Sequence, residues 1–128
     1  MNHLDYADLL TIARAALQAE PPVRDHGIVE AAAARPRTSL FGQDAYPDLW
    51  LKAAALLHAL AKGHPLVDGN KRLSWLSTRV FLDLNGIRGI PIPVDDAENL
   101  VVAVAAGHLD EVADIANALR NLYEAAVG

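Results

Sequence analysis

The stretch GHPLVDGNKR, from Gly63 to Arg72, lies between two strongly apolar segments and decides how the rest of the chain is organised. It contains a histidine, an aspartate, an asparagine, a lysine, an arginine and two glycines. A turn needs glycine, proline or asparagine, but it does not need this much charge. The stretch therefore predicts a connection between two helices and raises the question of what it holds.

The segments on both sides of this loop have the apolar pattern of buried helices. Pro47 is suited to the first turn of the preceding helix and Gly63 to its C-terminal cap. The following helix begins near Asn70 and closes at Asn85-Gly86. The preceding segment is apolar over most of its circumference and the following one has a wide apolar face, which predicts that they form the centre of the protein.

Four further segments have helical periodicity, with punctuation that sets their ends. Pro21-Pro22 ends the first helix, and Asp25 caps a short second helix that stops at Pro36. Asp95 and Glu98 have the spacing of a capping box, and a last apolar stripe runs from Leu109 to Tyr123. Between the second and third helices, PRTSLFGQDAY is predicted to form an extended flap or small hairpin. The expected fold is all-α: a compact bundle of about six helices in one domain, residues 1–128.

Composition and charge exclude several classes of protein. The chain has no cysteine, so disulfides and thiolate metal sites are impossible. Its net charge of −5 argues against nonspecific binding to nucleic acid or to an anionic membrane. The N-terminus does not resemble a secretion signal, and no uncharged stretch approaches the roughly 20 residues that span a bilayer. These features predict a cytoplasmic protein without direct contacts to nucleic acid or membrane.

Two familiar chemistries do not fit the loop. A phosphate-binding P-loop needs Gly-Lys-Ser/Thr after a strand, whereas here Asn70 separates Gly69 from Lys71 and a helix precedes the loop. A zinc-hydrolase site needs two histidines one helical turn apart. His58 and His64 are six positions apart across a helix end, so His58 is predicted to be a structural histidine.

An anion site at a helix N-terminus fits the residues better. Free N–H groups after Gly69 and the helix dipole favour a phosphate, and Lys71 and Arg72 add positive charge. Asp68 is consistent with a divalent ion that bridges it to phosphates, and His64 with a base for an incoming hydroxyl. Composition and spacing alone leave a solvated polar loop, in which Asp68 only caps the next helix, equally open.

The stretch from His64 to Arg72 resembles the Fic/Doc motif, whose usual form is H-P-F-x-D/E-G-N-G/K-R. The match falls at the expected junction of two central helices, although Leu66 replaces the usual phenylalanine. RDHGIVEAAAARP from Arg24, AAALLHALAKGHP and FLDLNG also look like the compact Doc (death-on-curing) branch. Leu66 is expected to fill the apolar position beneath the loop less completely than the usual phenylalanine does.

The resemblance implies an enzyme that uses ATP and Mg²⁺. His64 corresponds to the general base and Asp68 to the magnesium ligand. The phosphate cradle corresponds to Gly69, Asn70, Lys71 and Arg72, of which Lys71 and Arg72 also act in transfer. A flap that holds the target's backbone corresponds to Arg37, Thr38, Ser39 and Leu40.

Two departures from the AMP-transferring members of the family favour transfer of the γ-phosphate. Those members usually have glycine at the position of Lys71, and a second arginine at the position of Trp75. The lysine is expected to fill part of the phosphate nest and to favour a reversed nucleotide, with the γ-phosphate beside His64. The resemblance thus implies a Ser/Thr protein kinase; AMP transfer, or a catalytically silent module that binds nucleotide or partner, are the alternatives.

Partners are likewise implied by the resemblance. Doc-like proteins are usually toxins that arrest translation, with a threonine of elongation factor Tu as the characterised target. Each is restrained by a cognate, Phd-like antitoxin with a disordered tail. The self-inhibitory motif S/T-x-x-x-E-G/N of some relatives does not occur in this chain, so restraint is expected from another protein.

Overall fold

The computed structural model describes residues 1–128 and consists of six α-helices with one short hairpin. The helices are α1 (Tyr6–Leu17), α2 (His26–Ala34), α3 (Leu49–Gly63), α4 (Asn70–Leu84), α5 (Val94–Ala105) and α6 (Val112–Val127). A 3-10 turn, Arg35–Arg37, follows α2, and strands β1 (Ser39–Leu40) and β2 (Gln43–Asp44) form the hairpin. The predicted all-α bundle of about six helices with a short extended flap is confirmed. None of the helices combines the length and the apolar character that a membrane span requires.

Helix α3 is the centre of the bundle, as its apolar circumference predicts. It packs against α2, α4, α5 and α6, while α4 also contacts α1 and α5. Its side chains are buried along most of its length: Lys52, Ala53, Ala54, Ala55, Leu56, Leu57, Leu60 and Ala61. Because α3 and α4 are held by neighbours on several sides, the loop that joins them has a rigid frame.

Two predicted helix ends differ in the structure. Asp48 caps α3, accepting a hydrogen bond from Leu51 N at 2.8 Å, so Pro47 lies outside the first turn. At the other end α3 includes Gly63, and it is His64 that adopts the left-handed conformation, with φ of 49°. A Cβ atom at Gly63 would lie 2.7 Å from Ile28 Cγ2. Glycine is therefore used there for close packing between α2 and α3 rather than for the cap.

The predicted cap of α2 is confirmed, whereas the capping box of α5 is wrong. Asp25 accepts a hydrogen bond from Ile28 N at 3.2 Å. Helix α5 starts at Val94 without a side-chain cap, which places Asp95 inside its first turn, where a carboxylate stabilises the helix dipole. The capping box of this protein lies in α1 instead, between Asp5 and Asp8.

The extended flap after α2 is confirmed as a hairpin, with a change at one end. Phe41 and Gly42, with φ of 53° and 76°, form its two-residue turn, since a type I′ turn needs positive φ at both positions. Arg37 was predicted to be part of the extended segment but ends the 3-10 turn, which continues the helical backbone through Pro36. The buried amine of Lys52 donates to Pro36 O at 3.2 Å and pairs with Asp44 at 3.4 Å, which fixes both sides of the flap to α3.

Candidate active site

A cleft of about 380 Å³ lies where α3 ends and α4 begins. Its lining brings together all six residues predicted for the catalytic, phosphate and metal roles. The four predicted flap residues, Arg37 to Leu40, are not part of the lining. The lining residues are His64, Val67, Asp68, Gly69, Asn70, Lys71, Arg72 and Ala105.

His64 has a fixed backbone and a free ring. Its φ and ψ of 49° and 59° are in the left-handed region, which is uncommon for residues other than glycine. Arg24 holds this backbone, donating to His64 O from Nε at 2.9 Å and to Gly63 O from Nη2 at 3.0 Å. The imidazole is exposed and has no hydrogen-bond partner, so it can accept a proton from a molecule in the cleft.

Arg24 also offsets the partial negative charge at the C-terminal end of α3. The C-terminus of α3 carries partial negative charge on its last carbonyl groups, and the N-terminus of α4 carries partial positive charge. The Arg24 guanidinium binds two of these carbonyls, Gly63 O and His64 O, and so offsets their partial negative charge. The residues next to Arg24 in the sequence do not predict its role, because its contact with His64 spans 40 positions.

The segment before α2 holds the loop through backbone hydrogen bonds as well. Pro65 O accepts from Arg24 N at 2.7 Å, and Val67 N donates to Pro22 O at 2.7 Å. Leu66, only 1% exposed, packs in the core and so fills the apolar position expected for it. The loop is therefore anchored to the core by the Leu66 side chain and to the segment before α2 by backbone hydrogen bonds.

Asn70 uses its side chain to close the loop. Its Oδ1 accepts from Leu66 N and its Nδ2 donates to Leu66 O, both at 2.8 Å. The side-chain amide is therefore occupied within the loop, and the group that Asn70 offers to a ligand is its backbone N–H. The first bond of α4 joins Leu73 N to Gly69 O at 2.9 Å, so the N–H groups of residues 70–72 precede it.

Gly69 is required at the start of α4 for two independent reasons. Its φ is 90°, and a Cβ atom there would lie 2.5 Å from Leu17 Cδ2. The backbone of the loop thus packs directly on α1. Only glycine combines this conformation with this close approach.

We expect Gly69→Ala to lower the free energy of unfolding by about 1–3 kcal/mol, from left-handed strain and the clash with Leu17. Urea unfolding measures it. A double variant with Leu17→Ala removes the clash but not the strain, and also leaves a cavity in place of the leucine. If Gly69→Ala is as stable as the parent, the backbone conformation at this position is wrong. Gly42→Ala, at a positive φ with open space around it, is the matched control for strain alone.

Lys71 and Arg72 bring positive charge to the cleft. Both are exposed, and no carboxylate lies within ion-pair distance of either side chain. Arg72 Nη1 makes one long contact, 3.4 Å, to Ala16 O. Two unpaired cations beside a helix N-terminus can attract a polyanion.

Asp68 is the acidic group of the cleft. Its Oδ1 accepts from Gly69 N at 2.9 Å, while Oδ2 makes no hydrogen bond. No three histidine or acidic side chains converge to form a metal cage anywhere in the chain. The donor set therefore suits Mg²⁺, which is commonly bound by one or two carboxylates together with substrate phosphates and water.

His58 does not take part in the cleft. Its Nδ1 is 2.6 Å from Arg35 Nη1, and its Nε2 is 2.9 Å from Asp110 Oδ1. The hydrogen bond from His58, together with Lys62, lowers the pKa of Asp110. The prediction that His58 is a structural histidine is confirmed, because both of its ring nitrogens have partners, which link α3 to the 3-10 turn after α2 and to the segment before α6.

The bundle and this loop define a class of small helical proteins with a cleft, lined by two cationic side chains, at the start of a central helix. Residues 3–82 match the model of the Fic/DOC family, and the chain belongs to that family. It is 48% identical over 110 residues to "Toxin Doc" of Mycolicibacterium smegmatis (strain ATCC 700084 / mc(2)155), with 85% of each chain covered. It is 30% identical over 129 aligned positions to "Protein kinase doc" of Escherichia phage P1, covering 98% of this chain and 99% of the relative. The predicted Doc branch is thus confirmed.

Proposed function

We propose that this protein is a Doc-type toxin that transfers the γ-phosphate of ATP to a serine or threonine hydroxyl of a target protein. The observation that carries the proposal is the meeting of His64, Asp68 and the cationic start of α4 around one cleft. The two relatives are named as a toxin and as a protein kinase, which supports the same activity.

The start of α4 would bind the transferring phosphoryl group. Phosphoryl transfer needs little covalent chemistry from the protein, so positioning and charge stabilisation supply most of the catalysis. Backbone N–H groups of residues 70–72, the ammonium of Lys71 and the guanidinium of Arg72 are the donors for its oxygens. The helix fixes the backbone N–H groups before the nucleotide arrives, which limits reorganisation during the reaction.

His64 would remove the proton of the target hydroxyl. A general base must be within hydrogen-bond reach of that proton, and the His64 ring is the one imidazole lining the cleft. Its ring nitrogens are not used by the protein, whereas those of His58 are. The oxygen of the target then bonds to the γ-phosphorus, the bond from that phosphorus to the β,γ-bridging oxygen breaks, and ADP leaves.

Asp68 is the residue that would hold Mg²⁺, with Oδ2 as the free ligand atom. When bound, the ion supplies neutralisation of phosphate charge. Asp68 Oδ1, through its bond to Gly69 N, also keeps the loop closed. One side chain thereby connects the metal position to the backbone of the phosphate site.

Lys71 supports γ-phosphate over AMP transfer. Its side chain lines the cleft and is free of protein partners, so it occupies volume that a glycine would leave empty. An ammonium there attracts the end of the nucleotide with the highest negative charge. That end is the γ-phosphate, which favours its placement beside His64.

The hairpin is proposed to hold the target in an extended conformation. Thr38, Ser39 and Leu40 are exposed, and the two-stranded sheet leaves an edge unpaired. Such an edge can add a strand from another protein. Arg37 contributes its side chain from the preceding 3-10 turn. The proposed target is elongation factor Tu, with arrest of translation in the cytoplasm as the result and a Phd-like antitoxin as the restraint.

Inducible expression in a bacterium, followed by intact-mass measurement of modified proteins, tests this proposal. A threonine of elongation factor Tu that gains the mass of one phosphoryl group is the expected result. Gain of the mass of AMP would instead favour adenylyl transfer. Growth arrest without any mass change would favour a silent binding module and contradict the proposal.

A further inference from the structure

A second cleft, of about 500 Å³, adjoins the phosphate site and shares two residues with it. Lys71 and Arg72 line both clefts, so the two spaces meet at these side chains. The second cleft is mostly apolar and lies between α4 and the start of α5. Its lining residues are Lys71, Arg72, Trp75, Ile92, Val94, Ala97, Glu98 and Val101.

Trp75 presents an aromatic ring on the same face of α4 as Lys71, one helical turn further on. The ring is half-buried, and the Arg79 guanidinium lies 6.0 Å from its centroid. Such a cation–π contact on one side restrains the ring. On the opposite wall Val94, the first residue of α5, is 78% exposed. A ligand that covers this side chain would remove apolar surface from water, which favours binding.

Glu98 indicates what kind of molecule fits this cleft. It is exposed, has no hydrogen-bond or ion-pair partner in the chain, and lines the cleft together with apolar side chains. A carboxylate repels a further phosphate but accepts hydrogen bonds from N–H and O–H groups. The occupant should therefore be a flat, mostly apolar ring system with polar hydrogens, attached to a polyanion at the Lys71 end.

We infer that this cleft binds the nucleoside end of the nucleotide, with the base stacked on Trp75. The inference rests on the proposed function, and it adds a residue that distinguishes a nucleotide from a bare polyphosphate. The volume is within the range of small-ligand sites. The charged cleft and the apolar cleft also fix the direction of the ligand, with the γ-phosphate towards His64 and the base towards Trp75.

The test measures binding of an ATP analogue with a non-hydrolysable β,γ bridge, and of inorganic triphosphate, to the full chain. Trp75→Ala is expected to weaken binding of the analogue by roughly 5- to 150-fold, the range for loss of one base–aromatic stack. Binding of inorganic triphosphate should be unchanged. Trp75→Phe should retain most of the affinity and Trp75→Leu, which keeps apolar bulk without a ring, should not.

Fluorescence gives a direct readout, because the chain has two tryptophans. The Trp50 ring packs in a tilted arrangement against Tyr123, with 5.4 Å between the ring centroids, and does not line either cleft. Trp50→Phe therefore leaves Trp75 as the reporter. The analogue should change the emission of Trp75, and inorganic triphosphate should not.

Several outcomes would overturn the inference. They are an unchanged affinity of Trp75→Leu for the analogue, an equal loss for analogue and triphosphate, or no binding of the analogue to the parent protein. Failure of the proposed function is distinguishable, since the analogue would then bind through Trp75 while ATP yields no modified target.

Discussion

Replacing His64 with asparagine is expected to lower phosphoryl transfer by about 10²- to 10⁴-fold, the usual contribution of a positioned general base. Asparagine is the best substitute because it tolerates the left-handed backbone that His64 adopts. Alanine would add strain to the loss of the base. The measurement is the initial rate of target labelling at saturating ATP, normalised to folded protein.

His58→Asn is the matched control, because it removes the histidine that lies within α3, whereas His64 follows the end of that helix. It breaks the contacts to Arg35 and Asp110 and should reduce stability, while the rate per folded molecule stays near that of the parent. Nucleotide affinity of the His64 variant should also be preserved, since the phosphate donors belong to α4. A His64→Asn protein with normal transfer would exclude His64 as the base.

Asp68→Ala is expected to reduce transfer by at least about 10²-fold, because charge stabilisation by a bound metal ion is worth several kcal/mol. It also removes the acceptor of the Gly69 N–H group. Asp68→Asn separates the two effects, since its amide oxygen can still accept that hydrogen bond without the negative charge. The measurement is the dependence of the transfer rate on Mg²⁺ concentration.

The Asn variant should have the stability of the parent and an apparent Mg²⁺ requirement that is at least about tenfold higher. Asp114→Asn, at an exposed position in the first turn of α6, is a control for removal of one carboxylate. If Asp68→Asn retains the parent's Mg²⁺ dependence, Asp68 is not the metal ligand and its role is confined to the loop.

Much of the fold was predictable because its signals are local. The apolar circumference of α3, the aspartate that caps α2 and the glycine of the hairpin turn each act within a few residues. The wrong predictions for the end of α3 and the start of α5 have the same cause, which is that they rest on residue type alone. Gly63 and Asp95 suit the ends of helices by type, but the structure uses Gly63 to pack against Ile28 and places Asp95 within α5.

The chemistry of the cleft was predictable in part. Asp68, Lys71 and Arg72 lie close together in the sequence, so the same loop and helix start bring their side chains together. The hydrogen bonds between the Asn70 side chain and the Leu66 backbone, and between Arg24 and the His64 carbonyl, depend on geometry that residue types do not encode. Trp75 was visible in the sequence, but its cleft is formed with α5, about twenty residues away along the chain.

The direction of ATP in the site is the central claim, and transfer from two labelled forms of ATP measures it directly. Equal amounts of ATP labelled at the α- or the γ-phosphorus are incubated with the protein, Mg²⁺ and elongation factor Tu. The γ-label should appear on the target and the α-label should not, with His64→Asn giving neither. Transfer of the α-label would show that the nucleotide binds in the opposite direction, and would contradict the roles assigned here to Lys71 and Trp75.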